Sequence, residues 1–128
     1  MQKKISLAIH GGAGAYRKDI SPEREKQYED ALNEALIAGY KILDQGGSAL
    51  DAVEASVRNL EDCPLFNAGR GSVFTHEGKI EMDASIMNGK DLSAGSVVFV
   101  TNIKNPVSAA RAVMERTHHV MLAGPGAE

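Results

Sequence analysis

Three stretches of this chain combine residue types and spacing that can do chemistry. The first is His10-Gly11-Gly12-Ala13-Gly14, directly after an apolar run over 4–10. Glycine loops cradle phosphates, but neither a Gly-Lys-Ser/Thr sequel nor dinucleotide-binding spacing follows. A His-Gly-Gly turn also forms the oxyanion loop of α/β-hydrolase esterases, which requires a Gly-x-Ser-x-Gly elbow. Gly46-Gly47-Ser48-Ala49-Leu50 fails that pattern at its last position. Two readings stay open: glycines that let backbone approach a reactive peptide bond, and a plain strand-to-loop turn. The second stretch, Cys63-Pro64-Leu65-Phe66-Asn67-Ala68-Gly69-Arg70-Gly71, is a compact loop presenting one polar side chain. On its own, Asn67 is more often a turn-former, and Cys63 a small buried hydrophobe. The third is Asp83 within the apolar run 82–87. Aspartate is depleted in strands, so Asp83 either lies on the solvent face or is a buried, hydrogen-bonded acceptor. His118-His119 lacks metal-ligand spacing and reads as structural. No Ser/His/Asp set forms a recognisable triad.

The elements that position these residues follow from periodicity. Residues 4–10 read as a first strand. Ser21-Pro22 opens a helix whose buried face runs through Tyr28, Ala31, Leu32, Ala35, Leu36, Ile42 and Leu43. Gly46-Gly47 ends it, and Ser48 with Asp51 starts a second, faced by Leu50, Val53, Val57 and Leu60. Strands are predicted at 72–75, 80–87, 94–101 and 119–123, with turns at 76–79 and 88–90. Asn105-Pro106 opens a third helix, with Val107, Ala110, Val113 and Met114 inward. The fold class is α/β, with a mainly antiparallel sheet. Runs 4–10 and 96–100 are apolar at nearly every position, a pattern of strands covered on both faces. Three helices can cover only one face, so a second layer from elsewhere is expected.

Composition narrows the partners. With 128 residues, 43% hydrophobic and 24% charged, the chain is ordinary soluble material for one domain. A net charge of −3 provides no basic field for nucleic acid, and no apolar run approaches a membrane span. Residues 1–15 do not read as a signal peptide. A single cysteine allows no internal disulfide, which fits a cytoplasmic location.

Taken in order, several segments resemble the α-subunit portion of isoaspartyl peptidases/plant-type L-asparaginases. They are Ala8–Gly14, Gly47–Val53, Leu60–Gly69, Gly71–Phe74, Glu81–Met87, Leu92–Gly95, Asn105-Pro106 and Ala112–Glu115. The resemblance implies the four-layer αββα sandwich of N-terminal-nucleophile hydrolases, of which residues 1–128 supply only a part, an incomplete single domain. It implies a precursor that cuts itself before a threonine, whose free amine then serves its own hydroxyl as base. The substrates implied are small molecules, L-asparagine and β-aspartyl (isoaspartyl) dipeptides. The implied partners are the β-subunit chain of the same precursor and a second αβ unit, giving (αβ)2.

Residue by residue, His10, Gly11 and Gly12 match the loop beside the scissile bond, which influences self-cleavage. Asn67 matches a residue that orients the nucleophile. Leu60, Glu61, Cys63, Phe66, Ala68 and Arg70 match a loop whose main-chain carbonyls bind a structural sodium ion, and no organic cofactor is implied. One feature departs from the family. Thr75, Thr101 and Thr117 follow Phe74, Val100 and Arg116, so no Gly-Thr cleavage point occurs in the 128 residues. The expectation is therefore an enzyme portion inactive alone, its nucleophile lying in a β-subunit. The alternative is a non-catalytic binding or structural domain of the same fold.

Overall fold

The computed structural model describes residues 4–13 and 20–128. Gly14 of the glycine loop lies outside the described residues. Helix α1, Pro22–Asp44, begins where Ser21 Oγ accepts the Arg24 N–H and Pro22 holds the first helical position. Helix α2, Ala49–Asp62, is capped by Ser48, whose Oγ accepts the Asp51 N–H at 3.1 Å and donates to the Asp51 carboxylate at 2.6 Å. The two helices cross closely through small residues, with Gly39 lying against Ala52 and Ser56.

Strands β1, Met82–Met87, and β2, Ala94–Val100, pair antiparallel. Helix α3, Pro106–Arg116, then crosses over so that β3, Met121–Ala123, runs parallel to β2. The order is β1-β2-β3. Met82, Ile86, Val97, Val100, Val107, Ala110 and Val113 form one buried core, with Leu50, Val53 and Val57 of α2 against it. Arg111 ties the helical layer together, pairing with Asp51 and Glu54 of α2 and with Glu115 of α3.

Several expectations need correction. Residues 4–10 form no strand: no ladder partner exists among the described residues, and the segment alternates between half-buried Ile5, Leu7, Ile9 and exposed Ser6, Ala8, His10. Residues 72–75 also form no strand. The Val73 N–H is taken by Asn67 Oδ1, and Thr75 bonds within its own turn, donating its N–H to the Lys79 carbonyl and accepting the Gly78 and Lys79 N–H groups. Within the described residues the sheet is covered on one face, as much as three helices can cover. Helices lie on one face of the sheet, while Met87, Phe99 and Met121 are exposed. Between β1 and β2 the positive φ falls on Leu92 and not on Gly89, because Asn88 Oδ1 turns the chain by accepting the Lys90 N–H. No helix among the described residues is long and apolar enough to cross a membrane.

Candidate functional site

Two loops distant in the sequence, at 10–12 and 60–71, meet beside α1. Leu60, Phe66, Ala31 and Ala35 form a second small core, with Ile9, Tyr28, Leu32, Cys63 and Leu65 packed around it. Above it opens a cavity of about 1250 Å³, and its lining includes His10, Gly11, Gly12, Tyr28, Phe66 and Asn67. The glycine loop and Asn67, some fifty-five residues apart in sequence, thus line the same space.

The glycines answer to local geometry. Gly12 has φ +139°, a conformation that side-chain-bearing residues rarely adopt. Gly11 is fixed by neighbours instead: a Cβ there would lie 2.8 Å from Leu32 Cδ2 and 2.9 Å from Phe66 Cε1. Asn67 is exposed on the cavity side, and its Oδ1 accepts the Val73 N–H at 3.0 Å. With the oxygen committed to that bond, Nδ2 is the end of the amide available as a donor.

The loop 60–71 is wound tightly enough for backbone to touch backbone. A Cβ on Gly69 would collide with the Glu61 carbonyl, and one on Gly71 with the Phe66 carbonyl. The Leu60, Phe66 and Ala68 carbonyls each accept one backbone N–H, from Cys63, Ala68 and Gly71 respectively. A carbonyl oxygen bonded once keeps a second lone pair. The donor set of oxygens and the cradle closed by glycines fit a hard monovalent cation in kind. Among the described residues no group of three His, Cys, Asp or Glu side chains is placed to hold a metal. His118 and His119 are exposed, with ring centroids 4.1 Å apart.

Sequence reading missed the work of two acids. Glu61 and Asp62 end α2, where the helix dipole disfavours negative charge. That unfavourable placement was the available signal that they serve another element. Glu61 Oε1 accepts the Val107 N–H at 2.9 Å, and Asp62 takes Asn105 Nδ2 and Lys104, so both hold the start of α3. Burial pushes the Glu61 carboxyl up, against the Val107 and Asn105 bonds. Lys104 and Asn105 hold Asp62 below the ordinary carboxylate range. Asp83 proves to be both exposed and partnered. Its Oδ1 accepts the Phe99 N–H at 2.9 Å, where the β1–β2 register shifts and Phe99 takes φ +55°. That is a bulge pinned by a side chain.

The comparisons with known proteins agree with one another. A family model described as asparaginase matches residues 2–128. A plant-type L-asparaginase of Pyrococcus abyssi is 53% identical over 123 residues, 96% of this chain and 39% of that protein. An isoaspartyl peptidase of Salmonella typhimurium is 52% identical over 126 residues, 98% of this chain and 40% of that protein. An isoaspartyl peptidase/L-asparaginase of Rattus norvegicus is 53% identical over 124 residues, 97% of this chain and 36% of that protein. The chain thus spans about two-fifths of the length of these relatives, their N-terminal part. With a family match covering all but its first residue, the chain belongs to this asparaginase family.

Proposed function

We propose that the chain is the α-subunit portion of an amidohydrolase that cleaves the side-chain amide of L-asparagine and the β-aspartyl bond of isoaspartyl dipeptides. The relatives' names carry these two activities. The observation that carries the reading is the convergence of His10, Gly11, Gly12 and Asn67 on one cavity. The nucleophile is an N-terminal threonine of a β-subunit portion, exposed when the precursor cuts itself. This chain supplies the surroundings. Gly12, at φ +139°, lets bare backbone stand beside the scissile bond. Asn67, its oxygen tied to Val73, offers Nδ2 to orient the threonine hydroxyl.

The same reading includes a sodium ion on the main-chain carbonyls of Leu60, Glu61, Cys63, Phe66, Ala68 and Arg70. When bound, such an ion supplies fixed positive charge that steadies the loop bearing Asn67. It also includes a second sheet over Met87, Phe99 and Met121, completing the αββα sandwich, and an (αβ)2 assembly. Large apolar side chains left exposed on the uncovered side of a sheet suit burial against a second layer. One free cysteine suits a cytoplasmic setting.

The test is hydrolysis by the full-length protein, following ammonia from L-asparagine and aspartate from a β-aspartyl dipeptide. Release from at least one substrate is expected. A folded, self-cleaved protein that hydrolyses neither would leave the chain a non-catalytic domain of this fold.

A further inference from the structure

We propose that Phe66 is a positioning residue for the candidate site, a wedge whose ring sets how far the glycine loop stands from Asn67. The inference rests on the functional reading above and adds a residue that reaches the reacting groups only through others. Phe66 is 5% exposed although it belongs to a loop. The edge of its ring is the wall against which Gly11 lies, since a Cβ on Gly11 would come within 2.9 Å of Cε1 and 3.4 Å of Cδ1. Tyr28 of α1 meets the same ring edge-on, with centroids 5.8 Å apart and planes at 70°, and Arg24 lies 5.2 Å from the Tyr28 centroid. Leu32, one turn along α1 from Tyr28, closes the other side of Gly11.

The ring is therefore backed by a helix and faces the glycine loop. Its own backbone continues directly into Asn67, with the Phe66 carbonyl accepting the Ala68 N–H at 2.8 Å to turn the chain. An aromatic ring has only two χ angles and little freedom to yield. Its width fixes the separation between the two loops that line the cavity. The glycine at position 11 is the other half of the fit: the ring and the missing side chain are complementary.

The experiment is a double-mutant cycle in the full-length protein, comparing wild type, Gly11→Ala, Phe66→Leu and the double variant. Self-cleavage rate, kcat, KM and Tm are measured for each. Gly11→Ala is expected to slow self-cleavage and lower kcat about tenfold, because its methyl pushes the loop off the ring. Phe66→Leu is expected to lower kcat by a similar factor with KM little changed. The double variant is expected to recover part of the loss, since the methyl fills space the ring vacates while its contact with Leu32 remains. Contacting residues couple by about that much. Recovery in kcat beyond any recovery in Tm separates positioning from general packing. If Phe66→Leu does not fold, Phe66→Met takes its place in the same cycle. Losses that multiply independently overturn the wedge while leaving the functional reading intact. A wild type that neither cleaves itself nor hydrolyses either substrate overturns both.

Discussion

Gly95 and Gly11 both lack room for a side chain, but Gly95 is the more tightly enclosed and the two are crowded by different kinds of atom. Gly95 of β2 lies against backbone atoms of α3, the Ala110 carbonyl and the Met114 N–H. Gly11 lies against the ends of two side chains, Leu32 and Phe66. The first crowding belongs to a closed region, where Val97, Val100 and Ala110 have no exposure and β2 is paired on both edges. The second belongs to an open region, with residues 4–10 unpaired among the described residues and a cavity at its centre. Backbone in a ladder or helix cannot move aside without breaking its bonds, whereas the glycine loop, outside any ladder among the described residues, can shift away from the ring that crowds it. Changes in the sheet–α3 region should therefore appear as lost stability, and changes beside the cavity as lost chemistry.

Gly95→Ala is the strongest way to break that contrast. Overpacking against backbone is expected to cost about 3 kcal/mol of stability, read from denaturant midpoints of the full-length protein. A cost below about 1 kcal/mol would mean that the closed region yields as readily as the open one. Asn67→Ala should show the opposite profile. Turnover is expected to fall about tenfold, near 1.4 kcal/mol on the barrier, with a smaller change in stability. An unchanged kcat would return Asn67 to service as a turn residue. Ser48→Ala, on the closed side, removes the α2 cap and should cost about 1 kcal/mol with kcat unaffected.

The smallest effect concerns pH. Glu128 accepts from Thr101 N and Oγ1 and from Asn102 N and Nδ2, just beyond the end of β2. Those bonds, the Thr101 N–H first, pull its carboxyl from the ordinary 4.5 down to about 2. A depressed carboxylate stabilises the fold above its unfolded value. That contribution is lost as pH falls from about 4.5 through about 2. Glu128→Gln is expected to flatten this acid limb of the stability curve, measured by thermal melts between those pH values. A limb of unchanged steepness would show that the contact carries no linkage.

What the sequence disclosed also divides between the two regions. Caps are local, so Ser21-Pro22, Ser48 with Asp51, and Asn105-Pro106 announced all three helices. The inward faces of α2 and α3 followed from their period. Strand pairing depends on distant partners, so residues 4–10 and 72–75 read as strands by composition without forming ladders. The Asp83 bond to Phe99 and the service of Glu61 to α3 connect residues sixteen and forty-six positions apart. No local pattern encodes such links. The candidate site residues were named through family resemblance, while their meeting at one cavity is a property of the folded chain.

The central claim is that this chain surrounds a nucleophile which the precursor makes by cutting itself. Intact mass and N-terminal sequencing of the purified full-length protein test it most directly. The expected result is two chains whose masses sum to the precursor plus one water, the second beginning with threonine after a glycine. A single uncut chain that nevertheless hydrolyses L-asparagine or an isoaspartyl dipeptide would contradict the account.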